Sequence, residues 1–323
     1  MTFGAYLTGS FGQSQNLYKA RNEAKRGRGS QETVIEQARE DTKRVIALQR
    51  DAGLDFIVDP MFHFFYLFQP FSEKVDGVRV GPQENWFNNN VFYWRPQVQG
   101  PLNQQTGFTE RYIHLDELPT DGTGMAILPS PYTLLMLSDV RGYSDRKEAV
   151  ANLAEVIHSE AKHLVSRGVG RIQYDEPVIV VRQSLGSLTE EDLTLLTKGM
   201  EVCGRIDGAT TSLHTYFGNA GPIIPALLSL PVDCIGIDGT ETSLADILKH
   251  DYSTKELTLG LLDARNTSLE NPAEIANHLR TVAERTHPRK LWLTTNTGTE
   301  YRGFTHGVNK LDLLHQVRQI LHE

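Results

Sequence analysis

Cysteine is scarce: the 323-residue chain holds two, Cys203 and Cys234, and neither belongs to a Cys-x-x-Cys pair. Two isolated thiols build no disulfide framework, which fits a reducing, cytoplasmic setting. No apolar run reaches transmembrane length, and the start "MTFGAYLTGSFGQSQ" lacks the charged head and apolar core of a signal peptide. The chain therefore reads as soluble and intracellular, with no membrane partner. Positive charge is also short: 40 acidic against 32 basic residues give a formal net charge of −8. That excludes nucleic acid as a natural partner, because phosphate contacts need clustered positive charge. Finally, no Gly-x-Gly-x-x-Gly fingerprint follows the first apolar run, which continues as "TGSFGQSQN". This argues against a dinucleotide-binding fold.

What is present is alternation. Eight short β-branched or aliphatic runs fall at 5–10, 54–60, 125–131, 171–177, 210–217, 234–239, 257–264 and 291–297. Helical patterns lie between them. The clearest, 31–52, keeps Val34, Ala38, Val45, Leu48 and Ala52 on one face, starts after "GS" and stops at Gly53. Others cover roughly 146–167 and 272–286, the last with Pro272 in its first turn. Eight strands alternating with helices predict an α/β fold, a (β/α)8 TIM barrel forming a single domain over 1–323. Residues 61–124 are too long for a simple connection between the second and third strands. They carry "MFHFFYLFQPF" and "ENWFNNNVFYWRPQVQGP", an aromatic-rich insertion predicted to fold over one end of the barrel or to form a packing or dimer surface.

In such a barrel the active site lies at the C-terminal ends of the strands. The runs end in polar residues, among them Ser10, Asp175, Glu176, His214, Tyr216 and Asp238. "YDEP" (174–177) is the sharpest element. Successive strand residues face opposite sides, so only one of Asp175 and Glu176 can point to the barrel axis. A carboxylate there can bind an amine or act as a general base, and the plain alternative is an ion pair to a loop arginine. His214 reads as a satisfied histidine in the barrel mouth or as one ligand of a metal site, which needs three or four converging donors. Neither cysteine helps: Cys203 falls in a helical pattern, and Cys234 opens its strand at the far end. The run "QNLYKARNEAKRGRGS", with Lys19, Arg21, Lys25, Arg26 and Arg28, is either a solvated helix and loop or a cradle for a multiply charged anion.

Several of these words together resemble the cobalamin-independent methionine synthase family: "GSF", "GVGRIQYDEPVIV", "HTYFGN", "LGLLDARN" and "RKLWLTTNTGTEYRGF", in order, over nearly the whole chain. The resemblance implies two related barrels, of which the C-terminal one carries zinc and homocysteine and transfers a methyl group from methyltetrahydrofolate. "HTYFG", "LLDARN" and "ENWFNNNVFYWRP" look like words of the family's N-terminal, non-zinc barrel, whereas "TEYRGF" is closer to the catalytic one. Carried over one by one, the family's zinc positions fall on Tyr216, Gly218, Asp238 and Thr297, so the resemblance implies no metal and no other cofactor, zinc being unexpected. His214 lies beside a lost ligand position, although a rearranged set of His214, Asp238 and Glu241 remains open. Ser10 and Asp175 match positions that hold the amino-acid substrate, and Lys19 matches a contact to the folate glutamate tail, with Gln15 replacing the arginine that precedes it.

On this reading Asp175, Glu176 and His214 are the candidate catalytic residues. Ser10, Lys19, Asp175, Tyr216 and Asp238 are the candidate substrate-binding residues. Three functions fit. The first is an accessory half that binds a folate-like methyl donor and docks on a separate zinc-bearing catalytic barrel. The second is a self-sufficient homocysteine S-methyltransferase-like enzyme. The third is a binding protein for a small amino acid or folate. Whether the chain is itself a methyltransferase stays open, since fold alone does not choose.

Overall fold

The computed structural model describes residues 2–87, 89 and 91–322; Asn88 and Asn90 of the "ENWFNNN" stretch, with Met1 and Glu323, lie outside the described residues. Strands run as β1 (Phe3–Ala5), β2 (Ile57–Val58), β3 (Val78–Asn85), β4 (Phe92–Val98), β5 (Gly124–Pro129), β6 (Asp139–Val140), β7 (Val169–Asp175), β8 (Thr210–Thr215), β9 (Cys234–Asp238), β10 (Glu256–Leu262) and β11 (Leu291–Thr295). Helices are α1 (Gln15–Lys25), α2 (Gln31–Asp51), α3 (Gln69–Lys74), α4 (Pro131–Met136), α5 (Arg146–Ser166), α6 (Pro177–Ser184), α7 (Glu190–Cys203), α8 (Ile224–Ser229), α9 (Leu244–Ile247), α10 (Pro272–Thr286) and α11 (Phe304–His322).

Eight strands form one parallel sheet in the order β1-β11-β10-β9-β8-β7-β5-β2. Its two ends meet: the Asp55 N–H donates to the Ala5 carbonyl (2.9 Å), and the Phe11 N–H to the Pro60 carbonyl (3.0 Å). The result is the (β/α)8 barrel that the alternation predicts. All eight predicted runs overlap a barrel strand, the first only at Ala5, and several strands stop short of the predicted ends. Pro131 and Pro177 explain two of these: each opens a helix, α4 or α6, and the residue before it, Ser130 or Glu176, becomes the N-cap. Ser30 and Asn271 cap α2 and α10 in the same way.

The aromatic insertion forms α3 and the antiparallel pair β3–β4, to which β6 adds a short parallel edge. Phe68, Trp86 and Tyr93 pack edge to face with centroids 5.6–5.7 Å apart and knit this unit together. The buried Glu160 of α5 accepts the N–H groups of Gly107, Phe108 and Thr109, which fixes the return segment to the barrel wall.

The barrel interior is set by the pleat of β7. Arg171, Gln173 and Asp175 point inward, while Ile172 and Tyr174 point to the helices; the Tyr174 hydroxyl donates to the Cys203 carbonyl at 2.6 Å. Arg171 is fully buried at the N-terminal end. Its guanidinium lies 4.7–5.1 Å from the ring centroids of Tyr6, Phe56 and Trp292, and donates to Tyr6 Oη (3.2 Å) and Glu256 Oε2 (3.4 Å). A desolvated cation among three ring faces plugs the bottom of the barrel. Arg171→Ala removes this plug and strands Glu256 and Tyr6, so a loss of about 3–5 kcal/mol is expected in chemical denaturation. Arg171→Met, which keeps the volume, is expected to lose less; equal losses would mean that the volume contributes nothing and the lost charge accounts for the whole effect.

A carboxylate-lined cavity at the barrel mouth

The C-terminal strand ends converge on a cavity of about 220 Å³. Its floor is built by Ser10, Asp175, Tyr216 and Thr297. Its roof comes from the insertion, through Phe62, Phe65, Tyr66, Trp86 and Phe92. The loop after β11 adds Glu300 and Tyr301.

Asp175 is the last residue of β7. It accepts from Gln173 Nε2 (2.9 Å) and from the Tyr216 hydroxyl (3.3 Å). Burial pushes its pKa up to about 7, against the pull of those two hydrogen bonds. Glu176 faces the other way, as the pleat requires. It accepts from the Ser130 hydroxyl and from the N–H groups of Thr133 (3.1 Å) and Ile179 (2.9 Å), and so joins the starts of α4 and α6 beneath the surface. Burial raises it to about 7 as well, but it does not line the cavity.

His214 lies on β8 opposite Asp175 and two residues before Tyr216, deeper in the barrel. Its Nε2–H donates to the Asn296 carbonyl (2.9 Å), while Nδ1 has no partner and faces Gly236, where a Cβ would collide with the ring. Burial lowers its pKa to about 4, so the ring is neutral at physiological pH. Asp238 is buried and committed: Oδ1 accepts from Thr240 N (2.9 Å) and Oγ1 (2.6 Å), and Oδ2 from Phe217 N (3.2 Å). Of the predicted site residues, the cavity thus brings together Ser10, Asp175 and Tyr216. It leaves Glu176, His214, Asp238 and Lys19 outside.

Lys19 is exposed on α1. Arg21, two positions along and about 200° round the helix, is the residue of that basic run that reaches the cavity. It donates to the Phe62 carbonyl and stacks on Phe65 with its guanidinium 4.7 Å from the ring centroid. Burial lowers its pKa to about 10. Glu300 is the other residue not singled out from the sequence. Its Oε2 is buried without a partner, and burial, reinforced by Asp175, raises its pKa to about 7. The only sequence signal was an acidic residue two positions after Gly298 in the loop that follows the last strand.

A parallel barrel with a polar, aromatic-roofed cavity at its strand C-termini defines a ligand-handling barrel protein. Residues 4–319 match the family model described as "Cobalamin-independent synthase, Catalytic domain". The chain belongs to the cobalamin-independent methionine synthase family. A methionine synthase of Saccharolobus islandicus is 27% identical over 302 residues, covering 90% of this chain and 86% of that protein. A 5-methyltetrahydropteroyltriglutamate–homocysteine methyltransferase of Streptomyces griseus is 26% identical over 306 residues, 92% of this chain but 39% of that longer protein. The fold is similar to a B12-independent methionine synthase from Shewanella sp. W3-18-1 solved with selenomethionine (TM-score 0.75, 20% identity, 99% of this chain and 97% of that one). It is also similar to a putative vitamin-B12-independent methionine synthase from Listeria monocytogenes (TM-score 0.73, 18% identity, 99% and 98%). Among the described residues no helix is long and apolar enough to cross a membrane.

At the positions that the family resemblance assigns to zinc, this chain carries Tyr216, Gly218, Asp238 and Thr297. Tyr216 is a phenol held well above its usual pKa by burial and bonded to Asp175. Gly218 has no side chain, and a Cβ there would collide with the Val180 carbonyl. Asp238 is saturated by Thr240 and Phe217. Thr297 offers a hydroxyl. Cys203 and Cys234 are both buried, one ending α7 and the other opening β9. Glu241 is paired with Arg265 at 2.6 Å. Among the described residues no group of three or more His, Cys, Asp or Glu side chains is arranged to hold a metal ion. This donor set does not fit a thiolate-held zinc.

The raised carboxyls have a stability consequence. Glu300 binds its proton more tightly in the folded chain than in the unfolded one. Its favourable contribution is therefore complete below the ordinary carboxyl range and is lost as pH rises through about 7. Glu300→Gln should raise Tm at about pH 8 and leave it nearly unchanged at about pH 4. An equal shift at both pH values, read by calorimetry, would contradict this assignment.

Proposed function

We propose that this chain is a methionine synthase-family barrel that holds a small methyl-bearing ligand in the aromatic-roofed cavity. In methyl transfer it acts as the accessory half, docking on a separate barrel that carries the zinc and the homocysteine thiol. The observation that carries this reading is the commitment of the zinc positions: Tyr216 to Asp175, and Asp238 to Thr240 and Phe217. Zinc supplies a thiolate nucleophile at neutral pH by lowering the thiol pKa, and the described residues hold no equivalent donor set. A folate-like donor, as the family resemblance implies, would place its ring under the roof and run its tail out along α1 toward Lys19. The test is methionine formation from 5-methyltetrahydrofolate and homocysteine. The chain alone should give none, and it should increase turnover when added to a separately purified zinc-bearing family barrel. Failure to bind or stimulate that barrel would sink the accessory role.

A second reading is favoured by the two carboxyls that share the cavity with pKa values near 7, Asp175 and Glu300. A carboxylate so tuned can accept a thiol proton, which would make the chain a self-sufficient S-methyltransferase with Asp175 as base. This reading predicts methionine from the chain alone, at a rate that rises with pH through about 7 and is lost in Asp175→Asn. The cavity's size favours a third, a binding protein for a small amino acid, which predicts a ligand-dependent rise in Tm without turnover.

A further inference from the structure

Two charged residues of the cavity keep a buried polar atom without a partner. One is an acceptor, Glu300 Oε2, and the other a donor, Arg21 Nε. Buried polar groups are normally satisfied, so orphaned atoms of opposite sign on two residues that line one cavity point to a ligand that answers both. Asp175 adds a second carboxylate. The remaining surface is unusual for an amino-acid site: nine of the 21 lining residues are aromatic. A primary ammonium needs three directional acceptors, and ring faces provide none. An alkylated cation has no N–H to satisfy, and ring faces attract it. The cavity volume of about 220 Å³ also falls below the roughly 300–1,000 Å³ typical of drug-sized ligands, so the occupant is small.

We propose that this cavity binds a small methylated onium zwitterion, a quaternary ammonium or tertiary sulfonium joined to a carboxylate. The cation lies against the ring faces beside Asp175 and Glu300, and the carboxylate turns to Arg21. The inference rests on the reading of this cavity as the ligand site and is independent of the accessory role. It also gives the insertion a purpose, since the roof supplies most of the rings.

The test is isothermal calorimetry on the full chain with glycine betaine and dimethylsulfoniopropionate as probes. Glycine, methionine and 5-methyltetrahydrofolate serve as comparators. The onium probes should bind, and glycine should bind at least about tenfold more weakly because it lacks the methyl groups. Glu300→Gln should weaken betaine about tenfold, through loss of the carboxylate's Coulomb attraction for the onium charge. Phe92→Leu, on the half-exposed rim of the roof, should weaken it severalfold and leave the fold intact by circular dichroism. Binding of glycine as tight as betaine would overturn the onium assignment. So would binding of methionine or 5-methyltetrahydrofolate, lost in Glu300→Gln, with no binding of betaine; that result would keep the cavity as the ligand site. No heat with any probe would remove both the assignment and the cavity reading.

Discussion

The two-residue pleat of β7 is the constraint on which the rest of the barrel depends. It sends Arg171, Gln173 and Asp175 inward, so that one strand supplies the plug, the middle layer and the floor of the mouth. It sends Glu176 outward, where the carboxyl caps α6 and holds Ser130 and Thr133 at the start of α4. A slip of one residue would bury Glu176 at the axis and turn Arg171 into the helix layer. The neighbouring strand follows the same phase: Asp175 pairs in register with His214, which places Tyr216 above the histidine and within reach of the Asp175 carboxylate.

The chemistry of the mouth follows from what surrounds these groups. The insertion lays rings over the strand ends and excludes water, and exclusion of water lifts the carboxyl pKa values of Asp175 and Glu300. The same burial keeps His214 neutral and leaves its Nε2–H to the Asn296 carbonyl. Asn296 is the knot of the opposite wall: its side chain also accepts the N–H groups of Ala264 and Thr297 and donates to Thr240. Tyr216 and Asp238, two of the positions that the resemblance assigns to zinc, are hydrogen-bonded to other protein groups in this region. The match to the catalytic-domain model spans residues 4–319, whereas the words that resemble the family's non-zinc barrel, such as "HTYFG", are local.

Much of this was legible in the sequence because two periods are simple. Alternating strand and helix patterns predict the barrel, and strand phase allows only one of Asp175 and Glu176 to face the axis without saying which. Pro131 and Pro177 were harder. The apolar runs that contain them continue past the strand ends, and only the cap geometry shows that Ser130 and Glu176 already belong to helices. Arg21 was hidden in a run of five basic residues, because the face of a short polar helix such as α1 is set by packing that no apolar stripe announces. Glu300 was hidden for a different reason: it reaches the cavity through an irregular loop, and loop conformation has no period to read.

The most direct test of the central claim is the zinc content of the chain purified after expression with added zinc. No stoichiometric metal is expected, because Tyr216 and Asp238 are bonded within the protein and Gly218 has no side chain to offer. One firmly held zinc per chain, lost on His214→Ala, would contradict it and would make this barrel a metal-bearing catalyst in its own right.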